Sequence, residues 1–171
     1  MKTTLIDRLG KFIAELTGKN KFGKPDFVLL KTMMMLAAID GEITDDEVDR
    51  FRELAATCRG YSGESFETLW DAAVRSAGYL LLQSRFLEKD GLAAAFVAEA
   101  EKDFVGEVVL ETAAERTRAF DCLERMAAAD GDYSEIERAA ITALLAKVKT
   151  VREKMLAERY PQGAKFDQKR P

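Results

Sequence analysis

A stretch that occurs twice constrains this chain more than any other feature. Displacing the 171-residue sequence by 90 positions aligns Ala37-Ala38-Ile39-Asp40-Gly41-Glu42-Ile43-Thr44-Asp45-Asp46-Glu47 with Ala127-Ala128-Ala129-Asp130-Gly131-Asp132-Tyr133-Ser134-Glu135-Ile136-Glu137. The register continues on both sides, with Leu36 against Met126, Phe51 against Ile141 and Leu54 against Leu144. A match of this length points to a duplicated helix–turn–helix hairpin. Within each copy the local chemistry is legible. Gly41 and Gly131 stand where a helix C-terminus needs positive φ. Thr44 and Ser134 are N-cap residues with Glu47 and Glu137 three positions on, the pattern of a capping box. Ile43 and Tyr133, just before the caps, are placed to staple onto the following helix.

The rest of the chain reads as helix, with no alternation of the strand type. Leu5, Ile6, Leu9, Phe12, Ile13 and Leu16 give residues 2–17 one apolar face, and a basic linker follows up to Pro25, which suits a helix start. Residues 26–40 are apolar nearly all round, as in a helix buried inside a bundle, and Met33, Met34 and Met35 read as core filler. A helix over 45–58 buries Val48, Phe51, Leu54 and Cys58. Another, from about 64 to 88, carries Leu69, Ala73, Val74, Ala77 and Leu80. Asp90 and Gly91 open a helix to roughly Phe104, which Gly106 is expected to break. A helix over about 107–130 turns Val109, Ala113, Phe120 and Leu123 inward. The last, 135 to about 159, has Ile141, Leu144, Leu145, Val148, Val151 and Met155 along one seam. The expected fold is an all-α bundle of about seven helices built around two repeated hairpins. Its expected organisation is an amphipathic N-terminal helix and linker (1–24), a helical domain (25–160) and a disordered tail (161–171).

Composition removes several chemistries. With no histidine there is no Ser-His-Asp or Cys-His machinery, no imidazole-ligated metal and no histidine pH switch. Cys58 and Cys122 have no metal-type spacing and read as buried, reduced thiols. No nucleophile–base pair, phosphate loop or cofactor fingerprint occurs, so the chain reads as non-enzymatic. No apolar run is long enough to span a bilayer, and nothing marks the chain for export. The net charge of −4 is uneven. Residues 1–24 carry six basic and two acidic side chains, residues 147–171 eight and three, and the middle 12 and 25. That acidic middle repels phosphate and argues against nucleic acid, while favouring a cation or a basic protein partner. The basic amphipathic segment 2–17 allows peripheral contact with an anionic membrane, packing on the bundle, or homodimerisation.

Capping does not account for Asp40 and Asp130, acids at the negative end of a helix macrodipole, an arrangement that costs about 0.3–1 kcal/mol. Asp-Gly is a common turn pair, so capped turns alone are one reading; a bound cation or basic ligand, which would offset the cost, is the other. The acids of one turn (Asp40, Glu42, Glu47) and of the other (Asp130, Asp132, Glu137) are placed to face each other across a pseudo-twofold. Neither turn is an EF-hand. With Gly41 or Gly131 at the loop's sixth position, its first and third positions fall on Leu36 and Ala38, or Met126 and Ala128, which have no side-chain oxygen. With neither imidazole nor nearby thiolate, the expected ion is a hard one, Ca²⁺ or Mg²⁺, bound with modest affinity.

Two copies of a helix ending in Ala-Ala-x-Asp-Gly, followed by a hydrophobic residue, Thr or Ser, and Glu three positions later, resemble the TerB-like tellurite-resistance family. The residues that carry the resemblance are Met34 to Leu54 and Glu124 to Leu145, and with the helices between them it covers about 25–148. The resemblance implies an all-helical, non-catalytic domain, bacterial, in the cytoplasm or at the inner face of the membrane, linked to resistance to tellurite and other stresses. It also implies metal binding at the acidic turns. Carried over, the ligands are Asp40 and Glu47 in the first copy and Asp130 and Glu137 in the second, with Glu42 and Asp132 as further candidates. The His-Pro-Asp motif of the J-domains that follow similar domains in membrane-linked co-chaperones is absent, so that activity is not expected.

Overall fold

The computed structural model describes residues 24–58, 63–131 and 133–159. The expected helix at 2–17 and the tail at 161–171 lie outside the described residues. Six helices are described: α1 (Lys24–Ala37), α2 (Asp45–Ala56), α3 (Gly63–Gln83), α4 (Lys89–Ala100), α5 (Ala113–Ala127) and α6 (Glu135–Arg159). A π-helical turn, Glu101–Val105, and a single helical turn, Gly106–Val108, extend α4. Among the described residues there is no strand, and no helix is long and apolar enough to cross a membrane.

α1 is the axis of the bundle. Its first turn holds Pro25, whose fixed φ and missing N–H suit that place, and Asp26, an acid at the positive end of the helix dipole. Leu30, Met33, Met34 and Leu36 are fully buried, and so are Ala38 and Ile39 in the turn that follows. Each large apolar side chain buried in this way contributes roughly 1.5–3 kcal/mol. α3 and α5 flank α1 along its length, α2 and the π-helical turn cover other sides, and α4 packs on α6. Thr32, Lys31 and Asp26 of α1 each have a partner. Thr32 donates to Val28 O at 2.9 Å, Lys31 pairs with Asp103, and Asp26 accepts from both Nη atoms of Arg118 on α5 at 3.0 and 3.1 Å.

Three boundaries differ from the sequence expectation, each for a local reason. Gly106 does not break the chain; its φ of −60° and ψ of −40° are helical. The extra residue of the π-helical turn lets Phe104 and Val105 both reach the core, while Asp103 meets Lys31 and Glu101 meets Lys147 of α6 at 2.8 Å. The helix therefore runs on to Val108, and the next begins at Ala113, capped by Thr112 Oγ1 accepting from Glu115 N at 3.2 Å. Ala113 is consequently exposed rather than inward. α3 stops at Gln83 instead of reaching 88, where Ser84 Oγ donates to Leu81 O at 2.7 Å and the chain turns. Val74, Leu145 and Met155, read as inward, are 41%, 51% and 38% exposed, because the apolar arc of each helix is wider than the face its neighbours cover.

The turns that leave α1 and α5 share one set of backbone bonds. Ala38 N donates to Met34 O, Ile39 N to Leu36 O and Gly41 N to Ala38 O; Ala128 N, Ala129 N and Gly131 N repeat this toward Glu124, Met126 and Ala128. Gly41 and Gly131 are the positive-φ residues among those described, at 100° and 86°. A Cβ on Gly41 would lie 2.8 Å from Ser84 Oγ, whereas one on Gly131 would meet open space. Gly131→Ala should therefore lose only the conformational contribution, about 1–2 kcal/mol. Gly41→Ala should lose more, because Ser84 must also move. Urea unfolding of the two variants checks the order, and equal losses would show that the contact with α3 carries no energy.

Candidate functional site

Two of the acids singled out by the sequence, Glu47 and Glu137, lie in the first turns of the helices that follow the two turns. In the first turn, Glu47 Oε2 accepts from Thr44 N at 2.7 Å and from Thr44 Oγ1 at 3.1 Å, and Glu47 N donates back to Thr44 Oγ1 at 3.2 Å. The second turn has the same box. Glu137 Oε2 accepts from Ser134 N at 3.0 Å and Ser134 Oγ at 2.7 Å, and Glu137 N donates to Ser134 Oγ at 3.3 Å. Ile43 and Tyr133 are half-buried against the core beside their caps, and the Arg138 guanidinium lies 4.9 Å from the centre of the Tyr133 ring. Both glutamates are buried, at 5% and 4% exposure, which is unusual for a carboxylate that serves only as a surface cap.

Asp40 has a local role in its turn. Its Oδ1 accepts from Glu42 N at 3.0 Å, an Asx-type turn beside the helix C-terminus. Asp40, Glu42 and Asp130 are exposed. Asp132 lies outside the described residues.

Burial sets the electrostatics of this region. It pushes the Glu47 carboxyl up to about 7; the bonds from Thr44 pull the other way, and the charges of Asp40 and Glu137 raise it further. Glu137 is raised by burial, opposed by the bonds from Ser134, with Asp40 and Asp130 adding to the rise. Asp40 thus acts on the buried glutamates of both turns, and Glu47 senses Glu137. The fold brings Asp40, Glu47, Asp130 and Glu137 into one electrostatic neighbourhood. Glu42 is not among the charges that raise them, and among the described residues no three Asp, Glu, Cys or His side chains are set to hold a metal ion.

Sequence reasoning missed a groove of about 620 Å³ beside Asp40, lined by Leu87, Glu88, Lys89, Asp90, Leu92 and Ile136. Reading 64–88 as one helix hid it, since Glu88 then falls on a helix flank instead of at the mouth of a turn. The polar run Glu88-Lys89-Asp90-Gly91 was the available signal. A second cavity, of about 280 Å³, lies by the start of α1, with Arg118 and Asp26 in its wall. Next to that pair, Arg118 Nη2 donates to Cys58 Sγ at 3.7 Å. Burial pushes the Cys58 thiol up to about 12 and raises Cys122 as well, so both remain protonated and poorly nucleophilic at neutral pH.

Comparison with family models, with characterised proteins and with solved structures finds no match to this chain.

Glu47 binds its proton more tightly in the folded than in the unfolded chain. The resulting stabilisation is complete below the ordinary glutamate value of 4.5 and is lost as pH rises through about 7. Glu47→Gln preserves the capping box, in which glutamine also serves, and removes the titrating group. Thermal melts from about pH 5 to about pH 8 should show wild-type stability falling across this window and Glu47→Gln falling less. Equal slopes would place no titration at this glutamate.

Proposed function

We propose that this chain is a non-catalytic, TerB-like domain, made of a duplicated hairpin (α1–α2 and α5–α6), that takes a divalent cation at its paired acidic turns. On this reading it acts as a sensor or scaffold in the response to tellurite and other stresses, in the cytoplasm or at the inner face of the membrane. One observation carries the cation reading: the capping glutamates of both turns, Glu47 and Glu137, are buried at 5% and 4% exposure, and Asp40 adds to the rise that burial causes in each. Carboxylates held above their ordinary value store repulsion and desolvation that a cation relieves. The capping bonds fall on Oε2 of each glutamate, which leaves Oε1 as the proposed ligand atom; since no three of these side chains are set around one point, backbone carbonyls and water would complete the shell and the exposed Asp40 and Asp130 would contribute charge. So sparse a set, with two exposed acids, implies weak binding to Ca²⁺ or Mg²⁺. The absence of histidine and the protonated thiols support a role without catalysis.

Calorimetric titration of metal-stripped protein with Ca²⁺, Mg²⁺ and Mn²⁺ tests this. Dissociation constants near the millimolar range are expected, about tenfold weaker in Asp40→Asn/Asp130→Asn. Binding should also release protons at pH 7, read as a heat that depends on the buffer's ionisation enthalpy, because Glu47 must ionise to coordinate. Silence with all three ions would end the cation reading and leave the acids as turn and capping residues.

A further inference from the structure

The cavity of about 280 Å³ between the start of α1 and the first half of α5 plays no part in the acidic turns, which follow the far end of α1. Leu29, Val108 and Ala119 give it an apolar floor and are themselves buried. Four charged side chains stand in its wall: Asp26, Glu111, Glu115 and Arg118. The donors of that wall are engaged. Arg118 donates through both Nη atoms to Asp26 Oδ1, and through Nη2 also to Cys58 Sγ. Thr57 Oγ1 donates to Leu54 O at 2.7 Å, and Arg116 is turned to the Glu111 carbonyl. The acceptors are left over. Among the described residues no donor reaches Asp26 Oδ2 or the Glu111 carboxylate, and Glu115 has a 3.5 Å ion pair with Arg118. Asp26 is more than nine-tenths buried, yet Oδ2 is not sealed in: among the described residues the buried polar side-chain atom without a partner is Arg50 Nε. Oδ2 therefore keeps access to open space, and the cavity is the space that Asp26 lines. A nearly buried carboxylate oxygen in that position is costly until a donor reaches it.

We propose that this cavity binds a small aliphatic diamine as its dication, with one ammonium on Asp26 Oδ2, the other at Glu111 and Glu115, and the methylene chain on Leu29, Val108 and Ala119. Charge selects the sign. Three carboxylates and one guanidinium leave the wall at −2, which repels an anion and which a dication neutralises. Arg118 does not make an anion site, because its Nη atoms are held by Asp26. Geometry selects an organic cation over a metal ion. Among the described residues no three carboxylates are set around one point, so Asp26, Glu111 and Glu115 form no coordination shell. Separate acceptors over an apolar floor suit two charges joined by a hydrocarbon spacer. Each ammonium brings three N–H donors and no acceptor, which matches a wall with acceptors left over. Size selects a short chain, since ligand pockets start at roughly 300 Å³. The site does not rest on the cation reading of the acidic turns: Asp26 and Asp40 are roughly 20 Å apart at helical rise.

Calorimetric titration of the full-length protein with 1,4-diaminobutane at neutral pH and low salt tests it, beside n-butylamine and Mg²⁺. Three variants separate the sites. Glu111→Gln/Glu115→Gln discharges two half-buried side chains. Asp26→Asn keeps an oxygen for Arg118 and puts an N–H₂ donor where the ammonium would bond. Asp40→Asn/Asp130→Asn discharges the acidic turns. The expected result is saturable binding of one diamine per chain, about tenfold or more tighter than n-butylamine. Binding should weaken about tenfold in Glu111→Gln/Glu115→Gln, weaken further in Asp26→Asn, and stay unchanged in Asp40→Asn/Asp130→Asn. Thermal melts report whether each variant folds, and should Asp26→Asn prove unfolded the glutamine pair decides. Diamine binding that persists where Mg²⁺ is silent supports the cavity and separates it from the acidic turns. No binding of the diamine, n-butylamine binding as tightly, or undiminished binding in Glu111→Gln/Glu115→Gln would overturn the proposal. So would binding lost in Asp40→Asn/Asp130→Asn, which assigns the amine to the acidic turns.

Discussion

α1 has no side suited to water apart from its first turn and Lys31, and the arrangement of the other helices follows from covering it. An all-apolar helix cannot lie on a surface, so α2, α3, α5 and the π-helical turn close around it, and α4 and α6 join as a further packed pair. The cover is tight enough that each polar group on α1 needs a dedicated partner. Lys31 reaches Asp103 because the π-helical turn re-aims that stretch, and Asp26 is held by Arg118 from α5. Removing Arg118 would leave Asp26, at 8% exposure, as a nearly buried charge without its cation. The π-helical turn is therefore part of how α1 is enclosed, since a regular helix there would not present Asp103, Phe104 and Val105 together.

Burial of α1 also decides what happens at its end. The chain must leave the core sharply, and Gly41 does this with a φ that other residues resist, directly against Ser84 just past the end of α3. The exit turn passes into α2 through a capping box whose glutamate is drawn into the interior. The second turn does the same through Gly131, Ser134 and Glu137. Two ordinary caps, each satisfactory alone, thereby come to lie in a poorly solvated region, where the charge of Glu137 makes Glu47 harder to ionise. The chemical interest of the site comes from this proximity and not from any one residue.

Much of this was legible in the chain. Helix spacing located all six described helices, since apolar positions recurring every three to four residues admit few other readings. The Gly-x-x-Thr/Ser-x-x-Glu pattern specified both turns down to the atoms that bond, because capping is a local event within a few residues. Less legible were features in which a local signal met a distant demand. Gly106 looks like a stop, but Lys31 and Lys147 hold the acids of the preceding π-helical turn and the helix continues through it. Leu145 and Val74 look like core residues, yet periodicity reports an apolar arc without saying how much of it a neighbour will cover. Asp40 looked unexplained because its partner, the backbone N–H of Glu42, comes from the turn's own geometry and not from a side chain.

By itself the sequence determined the helices, their caps, the glycine turns and the identity of a helix that must be central, for these depend on propensity, periodicity and bonds between near neighbours. Only the tertiary structure decided that Glu47 and Glu137 are both buried, that Asp40 acts electrostatically on both, and that Val74, Tyr79 and Leu82 of α3 stay exposed. Charge repulsion, desolvation and surface cover depend on distances between segments far apart in the chain, and those distances are set when the helices close around α1.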